Sequence, residues 1–216
     1  LQDSMAFSRY DGKIKLQKFK LGKLLGMEPM LGTLDAEGNL KGRGFAKKSA
    51  NIDFDGKVSE IFFNQYLYHK VTLKGNFQKQ LFKGDVISKD TNLVATMSGL
   101  IDLRSTKPVY QMQGEITHSN LHNLRLLDPQ LSLTTDFELD FKGDRFDDLE
   151  GRTVFYNSTL RTPNKPDLHV ELVTLTSENG PGQKRHYKLT SDLVSAEISG
   201  EFTPSVLQSQ LGQLAD

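Results

Sequence analysis

His118 and His122 stand four residues apart, the first residues whose types and spacing suggest chemistry. On a helix they would share a face and begin a metal site. No third ligand accompanies them, since Asp128 follows the expected helix break, and the pair reads as a solvated turn. Asp136, Glu138 and Asp140 set three carboxylates at two-residue spacing, with Asp147 and Asp148 close behind. Carboxylates do acid–base work or hold calcium when they converge in a pocket. Alternation instead puts the first three on the polar side of a strand. Ser191, Asp192 and His186 supply triad ingredients without a nucleophile elbow or an oxyanion loop. Asn157-Ser158-Thr159 matches a glycosylation sequon, which matters only in a eukaryotic secretory setting. Lys13, Lys15, Lys18, Lys20 and Lys23 make the start locally basic, and a polar strand face explains them better than a lipid-headgroup contact. No phosphate loop or dinucleotide fingerprint occurs. The expectation is a protein that is not an enzyme and has no cofactor and no metal.

Composition narrows the classes further. The 216 residues carry 27 Lys+Arg and 27 Asp+Glu, so a formal charge of zero gives no electrostatic case for nucleic acid. With no cysteine, disulfides, thiolate zinc sites and cysteine nucleophiles drop out. No apolar run approaches the ~18 residues of a membrane helix. The chain begins at Leu1 without a leader pattern, and is expected to be an excised piece whose anchor or signal lies elsewhere.

The elements that must position any site are strands. An apolar residue, a polar one and a glycine recur as Leu73-Lys74-Gly75, Phe82-Lys83-Gly84, Met97-Ser98-Gly99, Met112-Gln113-Gly114 and Phe141-Lys142-Gly143. Leu93, Ala95, Met97, Gly99, Ile101 and Leu103 alternate with polar residues, and Leu131, Leu133, Thr135, Phe137, Leu139 and Phe141 do the same. Glycine keeps the apolar register, so a side chain is missing from the covered face, which suits a bend, a bulge or a close approach. Lys89-Asp90-Thr91-Asn92 and Asn179-Gly180-Pro181-Gly182 read as tight connections between strands. Short helices are expected over 21–25, 120–127 and 204–215, the last capped by Thr203.

Roughly a dozen strands at about 4.8 Å each would make a flat sheet some 55–60 Å wide, which must curl, fold over or close. Twenty or more apolar side chains facing water are incompatible with a soluble fold. Three short helices cannot cover them. A sandwich, a lipid-facing barrel or a curled sheet with an apolar groove would. The absence of Trp and the lack of aromatic girdles count against the barrel.

Gly75 to Leu103, Asp147-Asp148-Leu149-Glu150-Gly151, and Leu189-Thr190-Ser191-Asp192 leading to Ile198-Ser199-Gly200-Glu201-Phe202 resemble the repeating body of the large TamB proteins of Bacteroidetes, within the AsmA-like group. Asn64-Gln65-Tyr66-Leu67-Tyr68 resembles that family's aromatic entry to a strand, and the likeness covers most of residues 10–215. It implies a mainly β, antiparallel, elongated curled sheet belonging to a protein anchored in the inner membrane. Such a protein crosses the periplasm and reaches an outer-membrane barrel partner, moving phospholipids and supporting outer-membrane biogenesis.

The expected occupants of the groove are phospholipid acyl chains. The expected lining is Val71, Leu73, Phe82, Val86, Leu93, Ala95, Met97, Ile101 and Leu103 from the first half. From the second half it is Leu133, Phe137, Leu139, Phe141, Ile198 and Phe202. The chain reads as one segment, 1–216, with possible sub-segments 1–104 and 105–216. Two other classes fit the same pattern: a scaffold that templates nascent outer-membrane strands along its edge, and a carbohydrate-binding sandwich. The open edges of a cut sheet also suggest self-association.

Overall fold

Twelve strands and one short helix account for the regular structure in the computed structural model, which describes residues 8–25, 28, 30–44, 49–127, 130–143, 148–180 and 184–201. They are β1 (Arg9–Lys20), α1 (Leu21–Leu25), β2 (Leu31–Arg43), β3 (Asn51–Phe63), β4 (Tyr66–Gln78), β5 (Leu81–Lys89) and β6 (Leu93–Asp102). Then follow β7 (Val109–Ser119), β8 (Ser132–Lys142), β9 (Glu150–Arg161), β10 (Leu168–Asn179), β11 (Arg185–Ser191) and β12 (Ser195–Gly200). All strands lie in one sheet in chain order, β1 to β12, with antiparallel neighbours throughout. The mainly β, antiparallel curled sheet expected from alternation is what forms, and it does not close into a barrel. β6 and β7 pair from Leu93/Ser119 to Asp102/Val109, with one register shift at Val94/Ala95.

The sheet curls towards its apolar face. Leu31 on β2 and Tyr110 on β7 belong to one packed cluster, although the two strands are five steps apart, or about 24 Å in a flat sheet. Glycine allows that curvature. A Cβ on Gly38 would stand 2.6 Å from the Gly56 Cα, and one on Gly84 would meet the Lys74 carbonyl oxygen at 2.5 Å and the Phe82 ring at 2.7 Å. Neighbouring strands have folded towards the face where those side chains would be, and the ring of Phe82 lies over the space they vacate.

Bulges gather along one line of the sheet. Register shifts along it fall between Leu16 and Phe19, at Asp35/Ala36, at Val94/Ala95 and between Thr134 and Asp136, and one more lies nearer the start of β2, between Leu31 and Leu34. Lys18, Lys70 and Asn157 have positive φ beside the same line. A bulge bends its strand and raises its twist, so a line of them forms a crease. The buried side chains along it are small or β-branched: Ala36, Val58, Val71, Ser88, Ala95, Thr135, Ser158 and Val170. Their hydroxyls are satisfied locally. Ser88 Oγ donates to the Leu93 carbonyl at 2.7 Å, and Thr135 Oγ1 lies 2.8 Å from Ser158 Oγ.

The expected helix over 21–25 forms as α1. Residues 120–127 do not make a helix. They form tight turns, with the Leu124 amide bonded to the Asn120 carbonyl and the Leu126 and Leu127 amides both to that of Leu121. The expected helix over 204–215 lies outside the described residues.

The β5–β6 turn is more than a polar connection. Asp90 is 2% exposed, and its carboxylate accepts from the Tyr66 hydroxyl, the His69 amide and the Asn92 amide at 2.8–2.9 Å. Asn92 in turn binds the Tyr66 hydroxyl and receives Asn123, which ties β4, the β5–β6 turn and the β7–β8 connection together.

Two stability measurements test these assignments. Gly84→Ala is expected to lower stability in urea by about 1–3 kcal/mol through overpacking, whereas Gly12→Ala, whose Cβ would meet nothing within 4 Å, leaves it nearly unchanged. Asp90→Ala strands three donors and is expected to cost ~3 kcal/mol.

Candidate functional site

Registered pairs extend the apolar face across the molecule in rows. Leu73, Val86, Met97, Gly114, Phe137, Phe155 and Val173 form one row over seven strands. Phe82, Ile101, Tyr110 and Phe141 form another. Between them lie Gly75, Gly84, Gly99, Met112 and Leu139. Val71 and Ala95 sit in the crease, where both are buried, as is Phe137 one row above.

The other lining residues expected from the sequence, Leu73, Phe82, Val86, Leu93, Met97, Ile101, Leu103, Leu133, Leu139 and Phe141, are half-buried. Leu103 follows the end of β6 but still packs in the cluster around Tyr110. Ile198 shares the row of Tyr187 but is 41% exposed, because nothing flanks β12 on its far side among the described residues. Phe202 lies outside the described residues. The sequence reading missed the contribution of β1–β3. Leu34, Ala36 and Val58 form the most deeply buried cluster, with Leu16 and Phe54 against it, although the alternation Ile52, Phe54, Gly56, Val58 was there to read.

The face is mainly apolar, with Thr153 and Ser177 buried within its rows, and at its rim Arg185 is buried against Asp148 at 2.6 Å. Its counterpart on the reverse side is a mixed-charge lattice. Asp11–Lys41–Asp53, Lys15–Glu37–Lys57 and Asp55–Lys74–Asp85 each run across three strands with opposite charges facing. Open hollows lie on that polar side, one of about 790 Å³ lined by Lys41, Asp53, Asp55, Lys74, Lys83 and Asp85 among others. Their charges alternate, so neither hollow nor lattice selects a ligand by sign.

The residues considered for chemistry are dispersed or otherwise engaged. His118 lies in β7 and His122 in the turn beyond it, so the two share no helix face. No group of three metal-ligating side chains occurs among the described residues. Asp136, Glu138 and Asp140 lie on the polar side, where Asn157 and Gln111 donate to Asp136 and Asp140. The Ser191 hydroxyl accepts from the Leu193 and Val194 amides and so holds the β11–β12 turn. His186 instead meets Ser199 at 2.7 Å through Nδ1 and Glu197 at 3.7 Å through Nε2. This trio sits at the margin of the sheet, on β11 and the outermost strand β12.

Three ionisable groups are held far from their ordinary range, one of them Asp102, whose carboxyl the Arg104 side chain holds down to about 2. Burial pushes the Tyr68 hydroxyl up to about 12, reinforced by the adjacent Tyr66 and Asp90. Lys107, at 2.9 Å, does most to hold the Glu150 carboxyl down to about 2. Burial opposes it, while Asn179 and Lys142 assist. Glu150 thus clamps the ends of β8, β9 and β10 to the β6–β7 connection. Because its folded pKa is depressed, this stabilisation is complete above the ordinary value of 4.5 and disappears as pH falls through about 2. Glu150→Gln is expected to cost ~1 kcal/mol at neutral pH, with the gap to the parent chain closing below pH 4.5, as read from urea midpoints across pH.

No helix among the described residues is long and apolar enough to cross a membrane. Comparison of the chain with models of known protein families, with curated proteins and with solved structures finds no match.

Proposed function

We propose that the curled sheet is a lipid-holding segment of a periplasm-spanning protein, and that phospholipid acyl chains lie against its apolar face on their way between the inner and outer membranes. One observation carries this reading: twelve strands present an apolar face in a single layer, and among the described residues the only helix has five residues. Leu73, Val86, Met97, Ile101, Leu139 and Phe141 therefore remain half-exposed without a second protein layer. An acyl chain supplies that missing layer, and each CH₂ that enters contributes about 0.8 kcal/mol. Among the described residues, polar groups along the rows are few, Tyr110, Thr153 and Ser177 included, and no charged group stands between them, so such binding is tolerant of chain type, which suits a conduit.

Photocrosslinking amino acids at Met97 and Leu139 test the proposal in cells. Both are expected to capture lipid. Capture of peptide at these positions, or purification without bound lipid, would favour a scaffold for outer-membrane strands.

A further inference from the structure

We infer that the two open edges of the sheet are complementary, so that β12 of one molecule pairs antiparallel with β1 of a second copy and the sheet continues from molecule to molecule. This goes beyond the lipid reading and does not rest on it.

Backbone direction sets the first condition. The Gly44 amide donates to the Ser8 carbonyl, and the Ser191 amide to that of Val194. By alternation, Tyr10 and Gly12 turn their backbone groups towards β2, leaving those of Arg9, Asp11, Lys13 and Lys15 to face the open side. Likewise Ala196, Ile198 and Gly200 face β11, while Ser195, Glu197, Ser199 and Glu201 face outwards. Antiparallel pairing must match these two sets.

Within the molecule, registered neighbours follow two habits. On the polar side opposite charges face each other, as in Asp140–Arg152, Lys142–Glu150 and Lys188–Glu197. Like charges meet at Arg9–Arg43, Asp35–Glu60 and Glu115–Asp136. On the apolar side a large residue often faces glycine, as in Tyr10–Gly42, Phe54–Gly75, Met97–Gly114 and Phe141–Gly151, while glycine faces glycine at Gly38–Gly56, Gly75–Gly84 and Gly84–Gly99.

One allowed register keeps both habits. It sets Arg9 against Glu201, Asp11 against Ser199, Lys13 against Glu197 and Lys15 against Ser195. On the apolar side it sets Tyr10 against Gly200, Gly12 against Ile198 and Ile14 against Ala196. Sliding two residues one way opposes Asp11 to Glu197, and the other way opposes Asp11 to Glu201. The favoured register also covers Ile198 and fills the open space beside Gly12. Arg9 and Lys13 make no ion pair among the described residues, and Glu197 has only His186 at 3.7 Å. The interface is heterologous, so it propagates rather than closing a dimer.

Sedimentation of the full 216-residue chain tests this. The weight-average mass is expected to rise with concentration. Arg9→Glu/Lys13→Glu and Glu197→Lys/Glu201→Lys should each weaken self-association by about tenfold or more, because each leaves like charges facing. An equimolar mixture of the two variants should associate again, since each edge then meets its opposite. A chain that stays monomeric to millimolar concentration, variants that associate as the parent does, or a mixture that fails to recover would overturn the inference. A second measurement is independent of charge. Asp11→Cys mixed with Ser199→Cys should form a disulfide-linked dimer in a chain with no other cysteine, and Asp11→Cys with Ser195→Cys should not. Equal crosslinking in both mixtures would rule out the register.

Discussion

A single-layer sheet has to cover its own apolar face, and it can do so only by bending towards it. Bending brings adjacent strands together on the concave side, where Cβ atoms stand, so the curvature is limited by what occupies those positions. In this molecule glycine relieves the limit at Gly38/Gly56 and Gly75/Gly84/Gly99, pairs and triplets that register side by side across strands. The large neighbours Phe54, Phe82, Met97 and Met112 lie beside the space so opened. Glycine costs backbone entropy in a strand, and here the cost is offset by apolar area that only a curled sheet can bury.

Curvature in the other direction comes from the bulged crease, and the two devices divide the residue types between them. Where bulges concentrate, the buried side chains are mostly Ala, Val, Ser and Thr, with Leu34 the large exception. Where glycines concentrate, the neighbouring side chains are large and half-buried, Phe54, Phe82, Met97 and Met112. Hydroxyls are tolerated in the crease because a bulge leaves nearby carbonyls unpaired, and Ser119 Oγ takes the Leu133 carbonyl at 2.7 Å in that way. Each end of the sheet is then fixed by a carboxylate with several donors, Asp90 at one and Glu150 at the other. Neither is isolated, which is what allows a charged group to sit so deep.

Strand existence and facing were legible in the sequence because period-two alternation needs no knowledge of the partner strand. Leu73, Met97, Ile101, Leu139 and Phe141 all fall on one face for that reason. The region 120–127 misled because Leu121, Leu124 and Leu127 imitate a helical stripe, whereas its backbone is used to carry the chain from β7 to β8. Asp90 looked like an ordinary turn residue, since its burial depends on Tyr66 and His69, more than twenty residues away. The crease was hidden for the same reason: a bulge is a relation between two strands, and one strand's spelling does not contain it. The half-buried state of the face was equally out of reach, because it depends on how far the sheet curls.

The same economy that makes the face legible leaves the molecule incomplete in two directions. Among the described residues, half-buried side chains such as Val86 and Met97 have no second layer over them, and β1 and β12 have no neighbour on their outer sides. These are different deficits with different remedies. The first is non-directional and is met by anything apolar of the right thickness. The second is directional and demands backbone groups in matched phase, hence a strand. β1 is guarded by lysines, as exposed edges commonly are, but β12 carries Glu197 and Ile198, which answer a basic edge instead of repelling it. A sheet whose edges attract while its face stays open can lengthen without covering that face, and a continuous trough requires that combination.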